Sequence, residues 1–213
     1  MEINSNTSVI NNFSADASVS NNNLAILRQP LSSGMKQDEA IDLKNRKNHA
    51  LTVMLSEHTS ANPVNLTNLD LSGMDLTAHN FNWVQLESSD LSHSIITGCP
   101  FREASLCCVN MQHVEAAGCD FTHAEMYAIN LSDSNLQHAT LNEANLEEAI
   151  LTRADLTHAS LQDIDIEQFA DFDDATMRGA QLQRSNLENA SMRNVDLTDA
   201  DYSETRLPAS SYA

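Results

Sequence analysis

The chain has 213 residues, and its 30 Asp and Glu against 11 Lys and Arg give a formal net charge of −19. This charge argues against a nucleic-acid backbone or an anionic membrane surface as a direct partner, because both would repel the protein. No apolar run approaches the roughly 18 residues that a transmembrane helix needs. Five Gly and four Pro also exclude a collagen-like or Gly/Pro-rich low-complexity chain.

Residues 1–33 form a polar, nearly uncharged segment with seven Ser and seven Asn. Its apolar residues show no sustained period, so the segment cannot bury enough surface to offset its ordering entropy, and we expect a disordered leader. It does not match a Sec signal peptide, since Glu2 stands where a basic residue is typical and no continuous apolar stretch follows.

Residues 34–63 are predicted to be a capping helix followed by a linker. The helix covers 37–57, with breakers at Gly34 and at Asn62-Pro63. A helix of this length must pack its apolar stripe against another part of the protein. Its lysines and arginine are expected on the other faces. The stripe comprises Ile41, Ala50, Leu51, Met54 and Leu55, widened by Leu43 and Val53, and the cations are Lys44, Arg46 and Lys47.

From Val64 onward the chain repeats every five residues. Large apolar residues occupy 28 of 29 positions in one register, the exception being Ala116, and the register shifts once, by six residues between Ile166 and Phe172. Two residues before each position the side chain is Ala, Ser, Cys or Thr in 19 of 29 cases, and one residue before it is Asp or Asn in 16 of 29. The unit is therefore Ala-(Asp/Asn)-Leu-x-x.

A period of five fits neither regular element. On an α-helix it would wind around the cylinder, and on a flat strand successive units would alternate faces. It fits a square coil in which each unit makes one side, Leu and the small residue point inward, and coils of about twenty residues stack through parallel β-type hydrogen bonds at about 4.8 Å.

This pattern resembles the pentapeptide-repeat family, and the resemblance covers residues 64–207. It implies an all-β solenoid, a right-handed quadrilateral β-helix of about seven coils, preceded by the capping helix and the disordered leader and followed by a tail at 208–213. Residues twenty apart should stack, which places Phe81, Phe101 and Phe121 in one column. The six-residue step predicts a one-residue bulge at Glu167–Asp171, after which the offset becomes 21.

The cysteines and histidines have ordinary structural interpretations beside functional ones. Cys99 and Cys119 should lie on neighbouring coils, close enough for a disulfide, but buried free thiols are the favoured interpretation. His93 with His113, His138 with His158, and His123 with Glu143 should stack as outward pairs. Solvated side chains are favoured there over a surface metal site.

We expect no enzymatic activity, no cofactor and no metal site. The chain has no nucleophile elbow, P-loop, zinc-protease motif or Gly-rich phosphate cradle, and a rod of this kind offers no deep cleft. Nine of the 24 acidic residues after residue 60 are Asp residues that directly precede the central residue of a repeat, and these are structural first.

The charge layout points instead to a protein partner with a basic surface. After residue 60 the chain has 24 acidic residues, six Arg and no Lys. Such a surface attracts a basic partner, although it also serves solubility. The candidate partner-binding residues are two outward aromatics and six acids: Trp83, Tyr127, Glu147, Glu148, Asp163, Asp165, Asp173 and Asp174.

Three functional hypotheses follow. The favoured one is an interaction scaffold secreted into a host cell, because the leader resembles type III secretion leaders and pentapeptide-repeat tracts follow such leaders in known effectors. The second is an acidic DNA mimic that binds a type II topoisomerase, as gyrase-protecting family members do. The third is a structural repeat protein of the bacterial cytoplasm. Because little chain follows Leu207 to cover the last coil, that coil could also form a homodimer.

Overall fold

The computed structural model describes residues 21–32, 34–56 and 58–209. Two helical segments come first, and a stack of short turns and parallel bridges follows from Asn65 to Arg206. The predicted leader and tail fall partly on residues 1–20 and 210–213, which lie outside the described residues.

The end of the predicted leader is helical. Residues 21–27 form a short helical segment, and the Leu27 side chain is fully buried in the main hydrophobic core. The Leu31 N–H donates to Asp70 Oδ2 at 2.9 Å, which attaches this segment to the solenoid. The prediction of disorder therefore does not hold for residues 21–32, because Leu27 packs into the hydrophobic core.

The capping helix runs from Gln37 to Met54. Leu43, Lys47, Ala50 and Leu51 are its buried residues, whereas Ile41 is 51% exposed. The predicted stripe was thus right at Leu43, Ala50, Leu51 and Leu55 and wrong at Ile41 and Val53, which is 39% exposed. The prediction that Lys47 lies on another face is also wrong, since its side chain is fully buried.

Two lysines of this helix satisfy backbone groups at the open edge of the first coil. Lys47 Nζ donates to the Asp70 carbonyl, and Lys44 Nζ donates to the Gly73 carbonyl at 2.5 Å. In the next coil the Asp90 carbonyl accepts the Leu71 N–H at 2.8 Å. Lys47 therefore supplies the donor that a preceding coil would otherwise provide, and an unpaired buried carbonyl is avoided.

The solenoid has four sides, on which residues twenty apart are joined by parallel bridges. We name each side by its bridged residues, and we assign to it the two turn residues that follow its central residue. Face A carries Asn65, Gln85, Ser105, Glu125, Asn145, Asp165, Asn186 and Arg206; face B carries Asp70, Asp90, Asn110, Asn130, Ile150 and Asp171; face C carries Asp75, Ile95, Glu115, Asn135, Asp155, Thr176 and Asp196; face D carries Pro100, Asp120, Thr140, Ser160, Gln181 and Asp201. The seven stacked residues of face C give the seven predicted coils.

Each corner is a tight turn that follows the central residue of a unit. The central carbonyl accepts the N–H three residues later, as from Ala124 to Phe121 at 2.9 Å. The second residue after the central one has a positive φ in almost every unit, for example +58° at His138 and +69° at Gly118. This left-handed conformation bends the chain and explains why a helix or a flat strand could not accommodate the period.

The Asp or Asn before each central residue stabilises the next turn. Asp155 Oδ1, for example, accepts the Thr157 N–H at 3.0 Å and the Thr157 hydroxyl at 2.6 Å. Burial raises the pKa of Asp155, but the hydrogen bonds from Thr157 and Gln137 outweigh it and lower the pKa overall. These acids are therefore structural, as the sequence predicted.

The interior is filled by the central and small residues of the repeat. Phe81, Phe101 and Phe121 form the predicted column, with ring centroids 4.7 and 5.2 Å apart. His79 occupies a small-residue position and packs edge-on against Phe81 at 5.9 Å. Since each buried large side chain contributes roughly 1.5–3 kcal/mol, the column of central residues dominates stability.

The predicted bulge separates two regular parts of the solenoid. Bridges that span it join residues 21 apart, as between Ile150 and Asp171, and bridges beyond it return to a spacing of 20, as between Thr176 and Asp196. Strand β1, Ala170–Asp171, follows the bulge and pairs in parallel with strand β2, Ala190–Ser191. The chain therefore keeps its inward and outward faces, and only one residue is accommodated at the surface.

The last coil is less enclosed than the others. Tyr202 occupies a central position but is 45% exposed, and Val195, Leu197 and Leu207 are only partly buried. Within the described residues, the N–H groups of Leu197 and Tyr202 have no backbone acceptor. This end of the described solenoid is thus an open β-edge.

Candidate functional site

The basic side chains of the solenoid are mostly neutralised within it. In the described part of the chain, five of the six Arg after residue 60 form an ion pair with an Asp on an adjacent coil. The pairs are Arg102–Asp120, Arg153–Asp133, Arg178–Asp196, Arg184–Asp163 and Arg193–Asp173. Exposed pairs of this kind add little stability, but they leave a surface whose remaining charge is almost all negative.

The densest group of carboxylates lies on face A and the corner leading into it, beside the bulge. Here the coils separate: the bridges of face A join Glu125 to Asn145 and Asp165 to Asn186, but none joins Asn145 to Asp165 within the described residues. A shallow groove with a volume of ≈ 360 Å³ opens at this gap. Its acidic lining consists of Glu143, Glu147, Asp163, Asp165 and Glu167.

Four of the predicted residues contribute to this acidic region. Glu147 and Asp165 line the groove, and each also accepts a side-chain amide, from Gln168 at 3.1 Å and from Asn186 at 2.9 Å respectively. Asp163 lies there too, but Arg184 holds it at 2.7 Å and lowers its pKa, so its charge is internally compensated. Glu148 lies on the neighbouring corner, where its N–H donates to the Phe169 carbonyl at 2.6 Å.

The structure brings Tyr127 and Glu148 together. The Glu148 carboxylate beside the Tyr127 hydroxyl is the main reason why the pKa of Tyr127 is raised. The two residues lie on consecutive coils, since Ala128 N–H donates to the Glu147 carbonyl. A half-buried aromatic and an unneutralised acid therefore share one surface.

The other candidates lie elsewhere. Asp173 and Asp174 are on face B, where Arg193 and Asn194 respectively contact them. Trp83 is half-buried beside His58, with ring centroids 6.3 Å apart, and its indole N–H is enclosed without an acceptor among the described residues. Trp83 therefore lies beside the segment that joins the cap to the first coil, and its role as a partner-binding residue stays a prediction.

Sequence reasoning missed Phe169, the most exposed large apolar side chain of the solenoid at 54%. It belongs to the bulge, and its neighbours along the surface are Glu147, Glu148 and Glu167. The six-residue step was the available signal, because an extra residue in a strict repeat must project outward.

The predicted histidine and cysteine arrangements have structural explanations. His93 stacks on His113 at 4.8 Å and His138 on His158 at 5.3 Å. Cys99 and Cys119 are buried free thiols that donate to carbonyls of the preceding coil, and burial raises their pKa values to about 11 and about 12. Among the described residues, no three His, Cys, Asp or Glu side chains are arranged to hold a metal ion.

Among the described residues, no helix combines the length and the apolar character needed to cross a bilayer.

The fold and the repeated unit together define a right-handed quadrilateral β-helix. The pentapeptide-repeat model matches eight copies over residues 85–122, 129–168 and 170–207, which is more than half of the chain. The protein therefore belongs to the pentapeptide-repeat family. No curated protein is significantly similar to it in sequence.

Three solved structures illustrate the range of similar proteins. HetL, a pentapeptide-repeat protein involved in heterocyst differentiation regulation in the cyanobacterium Nostoc, is 22% identical, with 67% of this chain and 86% of HetL covered and a TM-score of 0.32. Full-length QnrB1, a plasmid-mediated fluoroquinolone resistance protein, is 18% identical, with coverages of 73% and 88% and a TM-score of 0.40. A thylakoid-lumen protein of Arabidopsis thaliana is 23% identical, with coverages of 59% and 70% and a TM-score of 0.33.

Proposed function

We propose that the protein is a non-enzymatic scaffold that binds a basic surface of a partner protein through face A. The supporting observation is the unequal neutralisation of charge. Five of the six Arg after residue 60 pair with Asp, whereas Glu147, Glu148 and Glu167 form no ion pair among the described residues. Such a surface attracts a basic partner and accelerates its association.

Affinity capture with three forms of the full chain tests this proposal. The face A variant carries Glu147→Gln, Glu148→Gln and Glu167→Gln. The matched control variant removes three charges from faces B and C, through Glu115→Gln, Asp174→Asn and Asp199→Asn. Quantitative mass spectrometry should identify a partner that the wild type and the control variant retain and the face A variant loses.

Two further results are expected of that partner. It should present a cluster of Lys and Arg at its binding surface, and its capture should weaken as NaCl rises from about 150 to about 500 mM, because screening shortens the range of the attraction. A partner set that both variants retain in full, or lose equally, would contradict the role of face A.

The DNA-mimic hypothesis is a second candidate, and stacked acids on and beside face A support it. Glu143 with Asp163, and Glu147 with Glu167, occupy equivalent positions on successive coils, so their carboxylates repeat along the axis as the phosphates of a nucleic acid do. Under this hypothesis, the full chain inhibits or protects purified gyrase in a salt-sensitive manner. Activity that is unchanged in the face A variant would remove the hypothesis.

Delivery into a host cell is a proposal that is independent of the binding surface. We propose that residues 1–33 act as a type III export signal, on the basis of their Ser- and Asn-rich, weakly charged composition. Fusion of these residues to a reporter in a type III-competent cell should yield secreted reporter. Absence of export would leave the bacterial cytoplasm as the site of action.

We also propose that the last coil can pair with a second copy of the chain. Its support is the open edge at Leu197 and Tyr202. Sedimentation of the full chain should give a dimer, and Tyr202→Glu should shift it to the monomer by placing a charge in the contact. A monomer at all accessible concentrations would contradict this proposal.

A further inference from the structure

Phe169 is the one residue of the bulge that the repeat does not need. Without it, the chain from Ile166 would read Ile-Glu-Gln-Ala-Asp-Phe, a regular unit in which Ala170 and Phe172 occupy the small and central positions. Both of these side chains are fully buried, whereas Phe169 is 54% exposed. The fold therefore does not explain an aromatic side chain at this position, where a polar residue would avoid exposing apolar surface.

The surroundings of Phe169 form a continuous surface, which we call the bulge patch and define as Tyr127, Glu147, Glu148, Glu167 and Phe169. Glu148 N–H donates to the Phe169 carbonyl at 2.6 Å, and Gln168 Nε2 donates to Glu147 Oε2 at 3.1 Å. Tyr127 lies on the preceding coil, where the N–H of the next residue, Ala128, donates to the Glu147 carbonyl at 2.8 Å. Tyr127, the pair Glu147 and Glu148, and Phe169 thus lie on three successive coils, which are about 4.8 Å apart along the axis.

The bulge patch borders the gap between coils on face A. Among the described residues, the Leu146 N–H lacks the inter-coil acceptor that Leu151 finds in the Asp171 carbonyl at 2.7 Å. Glu147 and Glu167 line the resulting groove. The patch therefore combines a projecting aromatic ring, a shallow recess and carboxylates that no Arg or Lys neutralises within the described chain.

We propose that the bulge patch binds an arginine-bearing basic segment of the partner protein. This inference rests on the proposed function and names the chemistry that face A recognises. A guanidinium group can form paired hydrogen bonds to a carboxylate of Glu147 or Glu148 while its planar face stacks on Phe169 or Tyr127. A lysine ammonium offers the same charge but neither the planar stacking nor the forked donors.

Fluorescence anisotropy with two synthetic peptides tests this assignment on the full chain. The peptides have the same length and spacing and differ only in having four arginines or four lysines. The wild type should bind the arginine peptide about threefold to fivefold more tightly, the range expected for an exposed cation–π contact. Phe169→Ser should abolish this preference, whereas Ile95→Ser, which removes an exposed apolar side chain on face C, should preserve it.

The outcomes separate this inference from the proposed function. If both peptides bind equally to the wild type, or if Phe169→Ser changes nothing while the face A variant still weakens binding, then the arginine assignment is wrong and the acidic scaffold stands. If the arginine peptide binds tightly and the face A variant binds it as well as the wild type, both proposals are wrong. Phe169 is exposed, so circular dichroism should show that its serine variant folds normally.

Discussion

The turn residues show how much local strain a repeated core can tolerate. Besides four glycines, 21 other residues hold positive φ angles, among them Glu103, Arg153 and Asp174. Each of these conformations is unfavourable by roughly 1–2 kcal/mol for a residue with a side chain. Burial of a large central side chain contributes roughly 1.5–3 kcal/mol per unit, so the repeat remains stable without a glycine at every corner.

Gly118 allows this strain to be measured in isolation. Its φ is +69°, and a Cβ atom placed there would meet no atom within 4 Å. Gly118→Ala should therefore lower the free energy of unfolding by about 1 kcal/mol through backbone strain alone. Gly34 is the control, because it has open space around it and no positive φ. Gly34→Ala should change the free energy of unfolding by less than about 0.5 kcal/mol, with both variants measured by urea titration.

The four cysteines should react with a thiol reagent in an order set by burial. Burial raises the pKa of Cys99 to about 11 and that of Cys119 to about 12, so at pH 8 about one Cys99 thiol in a thousand is ionised. In the native protein Cys108, which is exposed, should react first and Cys107 more slowly. Peptide mapping should find Cys99 and Cys119 modified only after unfolding, and rapid labelling of either in the folded state would contradict their burial.

At the level of secondary structure, the capping helix stabilises the first coil by donating hydrogen bonds. Replacement of Lys47 by Met keeps much of the buried volume but leaves the Asp70 carbonyl without its donor, so Lys47→Met should lower stability by about 1–3 kcal/mol. Arg46 lies on the exposed side, where it pairs with Asp42 at 3.0 Å and donates to Gln29 Oε1 at 3.4 Å. Arg46→Met should therefore have an effect below about 0.5 kcal/mol. Equal effects of both substitutions on the thermal midpoint would argue against this role of Lys47.

The bulge should be dispensable for folding. Deletion of Phe169 restores a regular unit and removes an exposed aromatic side chain, so its thermal midpoint should equal or exceed that of the wild type. Deletion of Thr157, a turn residue within a regular coil, is the control and should destabilise strongly because the register of all later side chains shifts. If the two deletions were equally damaging, the bulge would be a structural requirement rather than a device for presenting Phe169.

The sequence predicted the repetitive part of the fold in detail and the irregular parts less well. The period of five arises from the column of inward-pointing central residues. The phenylalanine stack and the offset of 21 could therefore be predicted from spacing alone. Lys47 was misplaced because hydrophobic patterning treats every lysine as a surface residue and contains no information about open backbone edges. Leu27 lies in a segment without a period, so nothing local indicated its burial.

The candidate site was predictable in composition but not in arrangement. Counting acids identified the negative surface, whereas the separation of Asp173 from Glu147 onto different faces required the coil geometry. The pairing of five Arg with an Asp one coil away likewise depends on the stacking of coils. Trp83 keeps its outward register position, but its proximity to His58, which lies outside the repeat, could not be predicted from spacing.

For the molecule as a whole, every statement about faces depends on the stacking of seven coils. Thr77 and Thr198 occupy equivalent exposed turn positions on face C, six coils apart. A cysteine in place of each threonine can carry a spin label once Cys107 and Cys108 are replaced by serine, since the remaining native thiols, Cys99 and Cys119, are buried. Pulsed electron paramagnetic resonance then reports the length of the rod between them.

This distance is the most direct test of the structural basis for the acidic face. Six steps of about 4.8 Å predict a single narrow distribution centred near about 29 Å, broadened only by the label linkers. A broad distribution, or a mean beyond about 40 Å, would show that the coils do not stack at the β-sheet spacing. In that case the assignment of Glu147, Glu148 and Phe169 to one surface would be wrong.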